Sequence, residues 1–398
     1  MSRQNYEWAI LNKNPHCMEI VQNNPTMPFF VNPEFSRTLD DDSEEMMYQS
    51  TKEKVRTRIH WGQRKLLMSE IEFLCIIGRE NLENALIVYA GAAPGTHIPY
   101  LCDLFPEARF ILVDPAPFKA QETDRVHIIQ DIFTDELASN IALHNKKKSI
   151  YFISDIRTAD PDDDDEQEVE RKVQSDQDSQ MRWHKLIEAR RSMLKFRLPW
   201  YVESTEYLDG LIYLPVWGPQ TTTECRLITY EHAPLKMKVY ENKKYESQMM
   251  FFNNVTRHSL FQHDVIGEGL DHCYDCKAEI HILKMYLRQY PEHCHASGLS
   301  VYETIAKMSY EISRLITRHR TLLDPTPDAE VRKAGIRRTQ YRGARPAHEA
   351  AYARHRRVRD PANTEAKDYE PSWLLRLQSG PLYNLPGQIQ PFKSLPDQ

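Results

Sequence analysis

No apolar run in this chain approaches the roughly 18 residues that a membrane-spanning helix requires, which excludes a helical membrane protein. The opening MSRQNYEWAILNKNP has neither the basic stretch nor the apolar core of a secretory signal. Cysteine is present seven times, an odd number scattered along the chain, and so argues for reduced thiols rather than a disulfide framework. No internal repeat is visible. The expectation is a soluble, non-secreted, cytoplasmic protein.

A dominant charge is also missing, because the net −6 conceals two opposite blocks. Between Asp160 and Asp178 lie ten acidic and two basic residues, whereas Arg332 to Arg359 holds ten basic residues opposed by Glu349 alone. The acidic insert, 160–178, reads as a solvated loop without direct chemistry. The basic block suggests nonspecific phosphate contacts with RNA, or else a solubilising or partner-binding extension.

Residues 1–52 are polar and lack periodicity, which predicts an irregular N-terminal arm. A single domain is expected over 53–323, followed by a mostly disordered basic tail over 324–398. Within the domain, KLLMSEIEFLCII from Lys65 has the spacing of an amphipathic helix. ALIVYAG, RFILVDP, RVHIIQ and SIYFISDI then read as strands, with GTHIPYLCDLF as a helix after the first. Strands alternating with helices predict a doubly wound α/β sheet, mostly parallel. QMRWHKLIEARRSMLKF from Gln180 reads as a helix, YLDGLIYLPVW and ECRLITYE as strands. KAEIHILKMYLRQY and VYETIAKMSYEISRLITRH read as closing helices.

The sharpest local signal is IVYAGAAPGTHIPYL, in which a buried strand runs into Gly91, Ala92, Ala93, Pro94 and Gly95 before a helix. Glycines let the main chain turn tightly and let a ligand lie against it. Asp114 ends the next strand, 19 residues past Gly95, where a carboxylate can take the ribose hydroxyls of an adenosine moiety. A plain strand-turn-helix corner is the competing reading. No lysine followed by Ser or Thr is present in the loop, which excludes a phosphate-gripping P-loop.

Four further residues stand in distinctive phrases: Lys65 in GQRKLL, Asp155 in FISDIR, Lys195 in SMLKFRLPW and Glu224 in TTTECRLI. Taken singly, each reads as an ordinary ion-pair or surface residue. Together they resemble the poxvirus family of cap-specific mRNA (nucleoside-2′-O)-methyltransferases, whose member is also the small, processivity subunit of the viral poly(A) polymerase. The resemblance runs from about residue 60 to about 318 and implies a viral source. It implies a Rossmann-like class I methyltransferase fold, S-adenosylmethionine as cofactor, and a Lys-Asp-Lys-Glu tetrad at Lys65, Asp155, Lys195 and Glu224. It places cofactor contacts at Gln63, Tyr89, Gly91, Gly95 and Asp114, with Ala93, Pro94 and Phe133 beside them. An arginine that the family carries two residues after its aspartate is Ala116 here. The tetrad suits the chemistry: a lysine serves as base when a neighbouring cation disfavours its charged form.

The family holds the methylated cap guanine between two aromatic rings, with a carboxylate reading its edge. Trp200 and Glu246 fall on one aromatic and on the carboxylate. Thr221 stands where the other aromatic would be, Val202 replaces a second acid with Glu203 adjacent, and Tyr48 in the arm is a loose candidate for a further stacking ring. A buried core tryptophan is the alternative for Trp200. Cys273 and Cys276 in CYDC, with His293, Cys294 and His295, offer a zinc reading. The helical segment between them would hold the two clusters roughly 25 Å apart, so no metal is expected. Three functions remain: a cap 2′-O-methyltransferase acting on capped mRNA, a non-catalytic RNA-binding subunit stimulating a poly(A) polymerase, and a methyltransferase with another substrate.

Overall fold

The computed structural model describes residues 30–47, 62–159, 164–218, 222–231 and 235–316. The N-terminal arm through Phe29, Tyr48, Thr221, part of the acidic insert and the basic tail lie outside them. In chain order the elements are β1 (Thr38–Leu39), α1 (Gly62–Ile77), α2 (Arg79–Leu82), β2 (Ala85–Ala90), α3 (Ile98–Leu104), β3 (Phe110–Val113), β4 (Val126–Ile129), α4 (Asp135–His144) and β5 (Ser149–Ser154). There follow α5 (Glu166–Leu186), β6 (Arg191–Phe196), β7 (Ser204–Leu208), β8 (Gly210–Tyr213), β9 (Cys225–Thr229), β10 (Met237–Glu241), α6 (Asn242–Asn254), α7 (Tyr274–Gln289), α8 (Glu292–Ser297) and α9 (Val301–Ile316).

Eight strands form one mostly parallel sheet in the order β1-β8-β9-β6-β5-β2-β3-β4, while β7 and β10 make a separate antiparallel ribbon. The fold is thus α/β, as the alternation of strands and helices predicted. The described residues cluster into two compact units interleaved along the chain. The boundaries fall within α2, α5 and β6, after Glu80, Gln174 and Leu194, and in the loop after Thr158.

One unit, residues 81–158 and 175–194, holds the parallel strands. Its central strand β2 reads ALIVYA and is buried at every position, the pattern of a parallel strand covered on both faces. It pairs with β3 (Ile87 opposite Phe110) and with β5 (Ala85 opposite Ser149). Helix α4 starts where Thr134 caps Leu137 N–H at 3.1 Å, with Asp135 and Glu136 in its first turn favouring the positive end of the helix. The other unit, residues 30–80, 159–174 and 195–316 as described, holds the antiparallel strands β1, β8 and β9, the β7–β10 ribbon and the helices α1, α6, α7, α8 and α9.

Two expectations are corrected. The acidic insert is not a loop beyond residue 165: Glu166–Leu186 is one helix of 21 residues. Asp165 Oδ1 accepts the Glu168 N–H at 2.8 Å, and Arg171 pairs with Glu168 at 2.6 Å. Acids crowded at a helix start satisfy free N–H groups and the helix dipole, so the run marks a beginning rather than a break. The helix expected to continue through Phe196 instead stops at Leu186. Glu188 turns the chain with φ 55°, and Ser192, Met193 and Leu194 are buried together in β6, parallel to β5.

Candidate active site

Helix α1 carries Lys65, and the residue before it explains its placement. Arg64 is fully buried and pairs with Glu279 on α7, Nε to Oε2 at 2.7 Å and NH2 to Oε1 at 2.5 Å. It also donates to Ser309 Oγ and Ser313 Oγ on α9 at 2.8 and 2.9 Å. Trp217 Nε1 donates to the same Glu279 carboxylate at 2.6 Å. This network fixes the first turn of α1, and Lys65 with it.

Lys65 Nζ donates to Glu224 Oε1 at 2.6 Å. Lys195, near the end of β6, brings its Nζ to 3.8 Å from Glu224 Oε2. Arg226 NH1 reaches Glu224 Oε1 at 2.9 Å. Glu224, Lys65 and Lys195 are each less than a fifth exposed, and Arg226 less still. Burial would push the Glu224 carboxyl up, but Lys195, Lys65 and Arg226 outweigh it and hold the group well below the usual carboxylate range. Three basic groups on one carboxylate leave an excess of positive charge, a setting that favours an oxygen becoming anionic. Three members of the predicted tetrad therefore meet in one unit.

Asp155 belongs to the other unit, directly after β5, with its N–H on the Ala90 carbonyl at 2.9 Å. Gly91 follows β2 with φ +81°, and a Cβ there would come within 2.8 Å of the Asp155 carbonyl carbon. Glycine is required at this crossing for both reasons. Gly95 also has a left-handed backbone, φ +62°. Asp114 at the end of β3 folds the loop back on itself, its carboxylate accepting the Ala93 N–H at 3.1 Å and the Ala116 N–H at 2.8 Å. A strand-end carboxylate beside a glycine turn is the residue type that a ribose's hydroxyls call for.

Gln63 is half-buried in the first turn of α1. Tyr89 and Phe133, expected beside the cofactor, are core side chains at 1% and 5% exposure. Tyr89 lies inside the fully buried β2, and Phe133 packs against Phe152 and Trp183 with ring centroids at 5.5 and 4.8 Å.

Trp200 is 45% exposed, which removes the core alternative. The Arg197 guanidinium carbon lies 4.5 Å from its ring centroid. Glu246, on α6, is part-buried. Burial pushes its carboxyl up, Arg197 opposes that, and Glu170 adds to it. Glu203 is exposed, and Asn242 N–H donates to its backbone oxygen at 3.0 Å. Tyr48 and Thr221 lie outside the described residues.

Three residues escaped the sequence reading. Arg226 was available from period-two alternation, since Glu224 and Arg226 lie two apart at the start of β9. Arg197 has the same relation to Lys195. Glu170 was hidden by the loop reading, yet it is buried, pairs with Arg197 and accepts the Trp200 N–H at 3.0 Å. As for zinc, α7 runs unbroken from Tyr274 to Gln289 between CYDC and HCH. Asp271, Cys273 and Cys276 do converge within 4.8 Å. They are engaged as the cap of α7: Asp271 Oδ1 takes the Cys273 N–H at 2.9 Å and Cys273 Sγ the Cys276 N–H at 3.5 Å.

Comparison with known proteins follows the same lines. The chain is 28% identical over 238 residues to the cap-specific mRNA (nucleoside-2′-O-)-methyltransferase of Myxoma virus (strain Lausanne), covering 55% of this chain and 68% of that one. The protein of the same name from Fowlpox virus (strain NVSL) is 27% identical over 233 residues, covering 54% and 73%. A solved structure of bluetongue virus VP4, described as a multifunctional RNA-capping production line, aligns with TM-score 0.36 and 12% identity over 56% of this chain and 34% of that one. So loose a likeness bears on neither fold nor function. The family described as poly A polymerase regulatory subunit matches residues 31–314. With well over half of its length inside that match, the chain belongs to the poly(A) polymerase regulatory subunit family.

Proposed function

We propose that the protein transfers a methyl group from S-adenosylmethionine to the ribose 2′-hydroxyl of the first transcribed nucleotide of capped mRNA. The observation that carries this reading is the gathering of Lys65, Lys195 and Arg226 on Glu224. A purely binding subunit has no use for such a cluster, and the names of the Myxoma and Fowlpox relatives agree with it.

Lys195 would take the proton of the hydroxyl onto Nζ, readying the oxygen to accept a methyl group. Glu224 locks Lys65 at 2.6 Å and orients Lys195 from 3.8 Å, while Arg226 fixes the carboxylate itself. Asp155 takes the fourth place of the tetrad by its match to the family motif. Gly91, Ala93, Pro94, Gly95 and Asp114 would hold the cofactor. When bound, S-adenosylmethionine supplies a methyl carbon on a sulfonium sulfur, open to in-line displacement. Trp200 stacks the N7-methylated guanine, whose positive charge adds a cation–π attraction of about 0.5–2 kcal/mol, and Glu246 accepts from its edge.

General-base assistance is worth roughly 10²–10⁴-fold. Lys195→Ala should therefore reduce methyl transfer by at least that range while cofactor affinity, read by calorimetry, stays close to wild type. Lys195→Arg should not restore it, because arginine does not deprotonate in proteins. A Lys195→Ala protein that keeps more than a tenth of the activity refutes the assignment. The family match favours a second role on the same chain, as regulatory partner of a poly(A) polymerase catalytic subunit. That role predicts that Lys195→Ala still stimulates polyadenylation.

A further inference from the structure

Glu170 serves two partners with one carboxylate. One oxygen pairs with the Arg197 guanidinium, and the other accepts the Trp200 backbone N–H at 3.0 Å. The Glu170 side chain is 7% exposed, and that of Arg197 19%. Arg197 in turn lies on the Trp200 ring, 4.5 Å from its centroid, so one ring face is already covered by a cation. Trp200 as a whole nevertheless remains 45% exposed, so that a base stacking on it would meet the ring away from Arg197.

This arrangement poses an electrostatic difficulty. A cation on one face of an indole draws on the same quadrupole that would attract a cation on the other, and it repels that second cation through the ring. Low exposure strengthens the repulsion because little water screens it. An uncompensated Arg197 would therefore weaken stacking of a positively charged base more than stacking of a neutral one. A carboxylate bound to Arg197 removes the handicap. We infer that Glu170 is a positioning and specificity-determining residue: by neutralising Arg197 it leaves the open face of Trp200 able to prefer an N7-methylated guanine over an unmethylated one.

The inference rests on the cap-binding role given above to Trp200, and the experiment separates the two. N7-methylated and unmethylated cap dinucleotides are titrated, by quenching of tryptophan fluorescence, into the full chain as wild type, Glu170→Gln and Glu170→Gln/Arg197→Gln. The Glu170→Gln substitution keeps one acceptor, enough for the Trp200 N–H, and removes the charge together with the acceptor that Arg197 uses, and thermal midpoints report that each protein is folded. Wild type should prefer the methylated cap by about 2- to 30-fold, the size expected of the cation–π contribution. Glu170→Gln should lose most of that preference, and the double variant, with neither charge, should regain it. If wild type shows no preference, the cap role of Trp200 fails and this inference with it. If wild type discriminates and Glu170→Gln does so equally, only the inference fails. Loss in the single variant without recovery in the double one means that Glu170 acts as a brace alone, and likewise overturns it.

Discussion

Glu224 holds its charge because three basic side chains surround it, and the proposed chemistry depends on that residue-scale balance. Replacing any one of the three changes both the carboxylate and its neighbours, so single substitutions here should not be additive. Asp114 allows a cleaner test, since its proposed role is binding alone. Its carboxylate already takes two loop N–H groups, at 3.1 and 2.8 Å, and truncation would loosen the turn as well. Asp114→Asn keeps the shape and one acceptor oxygen while removing the charge and one of the two loop hydrogen bonds, so thermal midpoints are compared alongside. Hydrogen bonds to charged groups contribute about 1.5–3 kcal/mol each, so S-adenosylmethionine affinity measured by calorimetry should fall roughly 10- to 150-fold. Unchanged affinity would place the cofactor elsewhere.

At the scale of elements, α1 is held through Arg64 rather than through Lys65. Arg64→Ala would leave Glu279 buried with the Trp217 indole but without its cation. Breaking a buried pair from one side costs about 3–5 kcal/mol. Denaturant unfolding should show a loss of that size, whereas a loss below about 1 kcal/mol would mean the network is not what anchors the helix. The same elements show what was legible beforehand. Strands β2, β3, β4 and β5 stood out as short apolar runs between turn signals, and α7 and α9 as amphipathic spans. The start of α5 did not, because its ten-acid neighbourhood resembles a solvated loop unless first-turn N–H groups are counted. Strand β6 was misread because SMLKF follows a real helix without a proline or glycine to mark the break. The tetrad was proposed from the family's phrases, and three of its members, Lys65, Lys195 and Glu224, lie together. Arg226 was passed over although alternation with Glu224 offered it, and Glu170 was hidden because its contacts are made across the fold.

For the whole molecule, each of the two units buries a histidine whose charged form is disfavoured. Burial pushes His184 and His258 down to about 4, with Lys185 and Arg257 adding to the effect. The unfolded chain, with histidines near 6.5, takes up protons first as the pH drops. Stability contributed by the neutral rings is therefore complete above about 6.5 and is lost between about 6.5 and 4, by up to roughly 1.4 kcal/mol per pH unit for each. His184→Gln, which cannot protonate, should flatten the fall of the thermal midpoint between about pH 6.5 and 5 relative to wild type; parallel curves would contradict this. None of the described helices is long and apolar enough to cross a membrane. The account as a whole turns on which atom receives the methyl group. Capped RNA with a ribose, and the same RNA with a 2′-deoxyribose at the first transcribed nucleotide only, would be incubated with S-adenosylmethionine labelled in its methyl group. Label on that first nucleotide in the ribose substrate, and none in the deoxy substrate, is the predicted result. Equal label in both, or label on a base or an internal nucleotide, would contradict it.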